Sequence, residues 1–250
     1  MKNKTLTVLF EDESVVLVDK PSGLLSLPDR FDASLPNVRH ILTARYGEIF
    51  IVHRLDRETS GIMLAAKTAE AHKGLSEQFE HHRVTKKYHA IVSGIVERDE
   101  FPINIPIATD AKRKGLMRPS ARGKEALTNV AVLERFRIAT LLECTLITGR
   151  THQIRVHCSA IGHPLLVDPD YGTTSEFMLS AIKRRFNLKK DTIERPVIDR
   201  LTLHAHEIQF THPVTQERIG FVSPHPRDIS AALQVLRKYS APHTSALTWD

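Results

Sequence analysis

The chain contains almost no cysteine and no long uninterrupted apolar segment. Two cysteines, Cys144 and Cys158, occur among 250 residues, too few for a disulfide framework or a Cys-x-x-Cys metal site. No apolar run approaches the ~18 residues that span a bilayer. The N-terminal segment, residues 1–10, is too short for a signal-peptide core. We therefore expect a cytoplasmic protein in a reducing compartment, with no membrane partner.

The motifs of several enzyme classes are also missing. The sequence has no G-x-G-x-x-G, no Walker loop and no G-x-S-x-G, so nothing indicates a nucleotide cofactor or a serine hydrolase. Among 14 histidines, His204 and His206 share one face of a predicted strand, but no cysteine pair or H-E-x-x-H spacing supports them. Structural histidines are favoured over a metal-dependent hydrolase, and we predict no metal and no cofactor.

Basic residues are in excess. Lysine and arginine total 35 against 29 acidic residues, a formal net charge of +6. This balance favours a polyanionic partner, with nucleic acid ahead of an anionic membrane surface. Two stretches concentrate the charge: residues 111–124, which include Lys112, Arg113 and Lys114 and no acidic residue, and residues 183–190. Each is a candidate phosphate contact, with a plain solvated face as the alternative.

Hydrophobic spacing predicts many short strands and few helices. The predicted helices are residues 35–46, 68–81, 151–161, 177–188 and 229–239. Strands often follow one another directly, which favours an α+β fold with a largely antiparallel sheet over a doubly wound parallel sheet. We expect one domain over residues 1–239 and a loose tail over residues 240–250.

The most informative stretch is H-R-L-D-R-E-T-S-G, residues 53–61. Asp56 lies between Arg54 and Arg57, and apolar runs typical of buried strands flank the segment. A charged cluster between two core strands lies at a strand end, where it can face a cleft. An ionised aspartate there needs a cationic or hydrogen-bonding partner. A structural ion pair at a turn accounts for the residue types equally well.

Two further segments carry candidate site residues. Residues 148–155, T-G-R-T-H-Q-I-R, follow a strand and begin a helix, so Arg150 can reach a carboxylate on a neighbouring strand end; solvation of the helix start is the alternative. Tyr88, in K-K-Y-H-A, can stack on a nucleobase. From residue type alone, a core tyrosine is the favoured interpretation.

Taken in order, these motifs resemble those of the RluA family of RNA pseudouridine synthases. Residues 53–61 are similar to its catalytic H-R-L-D-x-x-T-S-G signature. Its K-P-x-G, K-x-Y-x-A and T-G-R-x-H-Q-I-R motifs are similar to residues 20–25, 86–90 and 148–155. The resemblance covers residues 8–224. One departure is Val167, which stands where the family usually has glycine, so a different local turn is expected there.

The resemblance implies an isomerase that converts uridine to pseudouridine in structured ribosomal or transfer RNA, with no cofactor. It implies four roles: Asp56 as the catalytic aspartate, acting as nucleophile or base, Arg150 as its ion-pair partner, Tyr88 as the ring that stacks on uracil, and Arg54 as a residue that displaces the target base. Residues 20–30 are similar to the branch without an N-terminal S4 domain, so the catalytic domain would select the RNA. We expect a monomer. A non-catalytic RNA-binding or RNA-folding factor on the same scaffold is the alternative.

Overall fold

The computed structural model describes residues 5–188 and 192–242, which form an α+β fold as the sequence predicts. The strands are β1 (Thr7–Glu11), β2 (Val15–Lys20), β3 (Phe50–Ile51), β4 (Ser60–Ala66), β5 (Thr85–Ser93), β6 (Glu100–Asn104), β7 (Ile107–Thr109), β8 (Met117–Pro119), β9 (Leu127–Arg135), β10 (Ala139–Leu146), β11 (Leu203–Thr211) and β12 (Arg218–Val222). The helices are α1 (Val38–Tyr46), α2 (Ala69–Glu80), α3 (Gln153–Ala160) and α4 (Arg227–Tyr239).

Ten of these strands form one long sheet. Its order is β1-β2-β4-β11-β5-β10-β9-β6, with β12 paired to β11 and β3 paired to β4. The pairs in the described part of the chain are antiparallel except β4 with β11. Strands β7 and β8 form a separate hairpin. The sheet is therefore mixed and mostly antiparallel, as predicted.

The sheet carries apolar layers on both of its faces. In β2, Val16 and Val18 belong to one buried cluster, whereas Val15 and Leu17 belong to another. Successive side chains of a strand point to opposite faces. A strand covered on both sides therefore reads as a continuous apolar run, which is the pattern that the sequence shows here.

The two halves of the sheet meet at its centre, where β4 lies beside β11. Strands β4 and β11 pair only through Ser60 with His204 and Gly61 with Ala205. Gly61 has φ of 117°, and a Cβ atom there would lie 2.2 Å from the carbonyl oxygen of Ala205. Only glycine permits this approach. The last residue of the 53–61 motif thus holds the two halves of the sheet together.

Local signals predict some helices correctly and one wrongly. Helix α2 has the expected N-cap, since Thr68 Oγ1 accepts a hydrogen bond of 3.1 Å from the Ala71 amide. The helix predicted at 177–188 is wrong: the described residues there form one 3-10 turn, Leu179–Ala181. Three consecutive basic residues, 183–185, repel one another, and Arg185 has a left-handed φ of 55°.

Two predictions concern residues that lie partly outside the described part of the chain. The predicted tail begins beyond α4, and its residues 243–250 lie outside the described part, as do residues 189 and 190 of the second basic stretch. No helix among the described residues has the length and apolar character needed to cross a membrane.

Candidate active site

A cleft of about 760 Å³ lies over the centre of the sheet. It is lined by the predicted site residues Arg54, Asp56, Tyr88 and Arg150, together with Arg155. Asp56 comes from the loop before β4, Tyr88 from β5, and the two other arginines from the segment after β10. The structure thus gathers residues that lie as much as 101 positions apart in the sequence, from 54 to 155.

The loop that carries Asp56 is fixed on both sides. Before it, Ser26 Oγ donates to the Leu55 carbonyl at 2.7 Å and accepts from the Leu55 amide at 3.1 Å. After it, the buried Lys20 Nζ donates to the Arg57 carbonyl at 3.0 Å and to the Leu24 carbonyl at 2.8 Å. Charged donors make the stronger hydrogen bonds, so the ammonium holds this turn in place.

The Asp56 carboxylate itself remains accessible. Its side chain is 22% exposed, and its oxygens accept no hydrogen bond from the residues the structure describes. Two charged or polar groups stand nearby: Arg155 Nη1 at 3.9 Å from Oδ2, and His152 Nε2 at 3.8 Å from Oδ1. At such a distance the guanidinium attracts the carboxylate by about 4 kcal/mol at an effective dielectric constant of about 20. The oxygen lone pairs stay available for a substrate.

Arg155 is buried and held by two other carboxylates. Its Nε and Nη2 donate to the two oxygens of Asp168 at 2.8 Å each, and Nη2 also donates to Asp170 at 2.6 Å. Burial by itself would lower the pKa of Arg155, but the hydrogen bonds and charges of Asp168 and Asp170 outweigh it and raise that pKa. The guanidinium therefore stays charged beside Asp56.

The expected ion pair between Arg150 and Asp56 does not form. Arg150 Nε instead donates to the Glu125 carbonyl at 2.8 Å, and within the described chain Arg155 takes the place predicted for Arg150. Gln153 Oε1 accepts from the Arg150 amide at 2.9 Å, which fixes a tight turn before α3. Asp168 and Asp170 then hold the Arg155 guanidinium on the helix beside the cleft. Sequence reasoning missed Arg155, although the same motif contains it.

Tyr88 forms part of the cleft floor. It is 8% exposed and belongs to the main apolar cluster. Burial, together with the negative charge of Asp56, raises the pKa of Tyr88, so the phenol is neutral. Lys86, two residues earlier on the same strand face, also lines the cleft, and burial lowers its pKa. The neutral ring of Tyr88 therefore lies close to the Asp56 carboxylate, in a cleft that Lys86 also lines.

The basic hairpin β7–β8 is anchored at the edge of the cleft. The Tyr171 hydroxyl accepts from the Met117 amide at 2.8 Å and shares a hydrogen bond of 2.7 Å with His152 Nδ1. Arg113 Nη1 donates to the Asp170 carbonyl at 3.0 Å. The exposed tip of the hairpin carries the three cations singled out in the sequence, Lys112, Arg113 and Lys114. All three residues are exposed, and Arg113 connects the tip to Asp170, which binds Arg155 beside Asp56.

Comparisons with known proteins agree with this geometry. The family model described as RNA pseudouridylate synthase matches residues 14–160. The chain is 38% identical over 245 residues to ribosomal large subunit pseudouridine synthase D of Nitrosomonas europaea, covering 96% of this chain and 67% of that protein. It is also 38% identical to the uncharacterized RNA pseudouridine synthase YlyB of Bacillus subtilis, covering 93% of this chain and 73% of that one.

Solved structures extend the likeness to the fold. The human protein RNA Pseudouridylate Synthase Domain Containing 1 superimposes with a TM-score of 0.68 at 25% identity, over 96% of this chain and 97% of that one. The family match spans the Asp56 loop, β5 and all of α3. With its motifs in order and its fold shared, the chain belongs to the RNA pseudouridylate synthase family and is an isomerase that acts on RNA.

Proposed function

We propose that this enzyme isomerises uridine to pseudouridine in the RNA of the large ribosomal subunit, with Asp56 as the catalytic carboxylate. The assignment rests on the surroundings of the Asp56 carboxylate. It accepts no hydrogen bond from the described residues, it lines the cleft, and it lies 3.9 Å from the buried guanidinium of Arg155. The ribosomal target is supported by relatives whose names include the large ribosomal subunit.

The chemistry requires a flipped nucleotide and one anionic group. The N1–C1′ bond of uridine breaks, the uracil rotates, and C5 bonds to C1′ while the C5 proton leaves and N1 gains one. Asp56 acts on the ribose as nucleophile or base. Extruding the base costs a few kcal/mol, least in RNA loops. The cleft of about 760 Å³ has the size typical of small-ligand sites.

Each surrounding residue supplies one part of this environment. Arg155 keeps a positive charge beside the carboxylate, and the neutral ring of Tyr88 offers a stacking surface for the uracil. Arg54 is exposed at the cleft and is positioned to meet the RNA where the base leaves its stack. Arg150 lines the cleft without contacting Asp56, so we assign it to RNA contact rather than to the carboxylate.

The β7–β8 hairpin is the proposed secondary RNA contact. Its tip presents Lys112, Arg113 and Lys114, and Arg113 is joined to Asp170, which also binds Arg155. Phosphates bound at the tip would therefore lie beside the catalytic cleft.

We further propose that the enzyme works as a monomer, a proposal supported by Asp56, Tyr88 and Arg155 all coming from one chain. We place it in the reducing cytoplasm, where Cys144 and Cys158 stay free thiols.

Asp56→Asn tests the catalytic role. RNA carrying tritium at uracil C5 loses the label when C5 bonds to C1′, so tritium release measures turnover directly. We expect release from large-subunit RNA with the wild type and none with Asp56→Asn, which still binds RNA. Glu58→Gln, a matched change in the same turn, should stay active. Continued release by Asp56→Asn would disprove the role of Asp56. Release only from transfer RNA would disprove the ribosomal target and leave the chemistry intact.

A further inference from the structure

Three histidines meet on the face of the sheet opposite the cleft. His89 lies on β5, His206 on β11, and His225 in the segment before α4. Each offers a ring nitrogen, and these nitrogens lie within 4.8 Å of one another. Because Tyr88 and His89 are consecutive on one strand, their side chains point to opposite faces. The cluster is therefore separate from the catalytic cleft.

A β-bulge places His206 in this group. The pairing of β11 with β5 shifts between Ala205, opposite Tyr88, and Glu207, opposite Lys87, so His206 is the extra residue. A bulge of this kind re-aims a side chain. Here it stacks the His206 ring on the His89 ring, with centroids 3.8 Å apart.

Hydrogen bonds prepare the rings to bind a cation. His206 Nδ1 lies 2.8 Å from the Ser223 carbonyl, which can only accept, so Nδ1 carries the proton and Nε2 keeps a lone pair. His89 Nδ1 and His225 Nε2 lie 2.6 Å apart and share one proton, which a metal ion bound by both nitrogens would displace. The Glu143 carboxylate, 3.9 Å from His89 Nε2, lies on the outer side of that ring, and carbonyl or carboxylate groups in this position are the usual support of metal-bound histidines.

His204 lies nearby, but both of its ring nitrogens are hydrogen-bonded to other groups of the protein. Its Nδ1 shares a hydrogen bond of 3.0 Å with Ser60 Oγ, and its Nε2 lies 3.2 Å from the Ser223 carbonyl. Both nitrogens are thus used within the protein. By contrast, the His206 and His225 side chains are half-buried, which gives a cation a path from solvent.

Contrary to the absence of a metal site expected from the sequence, we propose that His89, His206 and His225 bind one divalent transition-metal ion of the zinc type, with water as the fourth ligand. Zinc–nitrogen bonds of about 2.0–2.1 Å place tetrahedral ligands roughly 3.3 Å apart. The observed nitrogens lie on both sides of this spacing, all within 4.8 Å and 2.6 Å apart for His89 and His225. The stacked rings of His89 and His206 tilt apart on binding so that both lone pairs point at the ion. Imidazole ligands select zinc, cobalt, nickel or copper over magnesium and calcium. Bound metal would join β5, β11 and the segment leading to α4.

Metal titration of the purified full chain tests the site. We expect one Zn²⁺ per chain by calorimetry, and one Co²⁺ with visible absorption typical of an imidazole complex. His206→Gln and His225→Gln should each lower the affinity more than about tenfold. His40→Gln, which alters an exposed histidine of α1, should leave it unchanged. Mg²⁺ should not bind at this site.

Two readouts separate binding from folding. Saturating Zn²⁺ should raise the Tm of the wild type by about 5 °C. It should leave unchanged the Tm of the double variant that carries both His206→Gln and His225→Gln. In the wild type, ¹⁵N NMR of the histidine rings should show shifts confined to His89, His206 and His225. The proposal is overturned if the wild type binds no stoichiometric Zn²⁺, or if the double variant binds it as tightly.

Discussion

Replacing Arg155 and Arg150 in turn by lysine tests which arginine supports Asp56. The Arg155 guanidinium makes three short hydrogen bonds to Asp168 and Asp170, and its remaining nitrogen faces Asp56 at 3.9 Å. A lysine has one nitrogen and cannot serve all three carboxylates. If the ammonium stays with the fully buried Asp168, its distance to Asp56 grows to roughly 7 Å, and the attraction falls from about 4 to about 2 kcal/mol.

Only the part of this attraction that is stronger in the transition state than in the bound ground state changes the single-turnover rate, so a loss of about 2 kcal/mol sets an upper limit of roughly 30-fold on the rate decrease. We expect a decrease within this limit in Arg155→Lys, measured as single-turnover tritium release at saturating RNA, a condition that removes any effect on RNA binding. Arg150→Lys should change the same rate by less than about threefold, because Arg150 does not contact Asp56. A larger rate loss in Arg150→Lys than in Arg155→Lys would refute the assignment.

The same pair of variants differs in stability. Arg155→Lys loses two charge-assisted hydrogen bonds, about 3 kcal/mol together, so its Tm should fall by about 6–12 °C. The Arg150 side chain makes a single exposed bond to the Glu125 carbonyl, and its replacement should leave Tm nearly unchanged. Thermal melts therefore check the contacts of both arginines without any RNA.

Three other changes test separate parts of the structure. Gly61→Ala should lower the free energy of unfolding in urea by more than about 3 kcal/mol, because the new Cβ would meet the Ala205 carbonyl oxygen at 2.2 Å. The control Gly74→Ala, inside α2 with ordinary contacts, should leave this free energy unchanged or raise it. His53 Nε2 accepts from the Leu64 amide, and burial with the Lys86 charge lowers the pKa of His53 to about 3. The unfolded chain then takes up the proton first, so His53 alone makes stability fall by about 1.4 kcal/mol per pH unit as pH drops from 6.5 towards 3. His53→Gln should lower the measured slope by this amount, and an unchanged slope would contradict the neutral state of His53. Removing the charges of residues 112–114 should weaken RNA binding and lower the salt slope by up to about 3; an unchanged slope would exclude the hairpin as a contact.

Local signals explain what the sequence predicts well. The apolar runs around residues 53–61 become β3 and β4, and Thr68 caps α2, because these features depend on neighbours in the chain. The place of Asp56 at a cleft follows from the same logic: a charged turn between buried strands has to lie at a strand end. The fold class and the position of the Asp56 loop are thus encoded locally.

Non-local contacts explain what the sequence does not predict. Arg150 and Arg155 belong to one motif, and residue types alone do not tell which faces Asp56. The choice depends on Asp168 and Asp170, which approach α3 only after the chain has folded. The cluster of His89, His206 and His225 is even harder to predict from the sequence. His225 lies in a loop and His206 in a β-bulge, and hydrophobic periodicity predicts neither position.

We expect the charges around the cleft to separate the phosphates of the RNA from the reacting sugar. Arg155 faces the carboxylates of Asp56, Asp168 and Asp170, which balance its charge, and burial lowers the pKa of His152 so that it adds little positive charge. The exposed cations, Arg54 at the cleft and those of the hairpin, lie outside this cluster and attract phosphate. We therefore expect the phosphates at the rim, so that an extruded nucleoside reaches Asp56 while its flanking backbone stays outside.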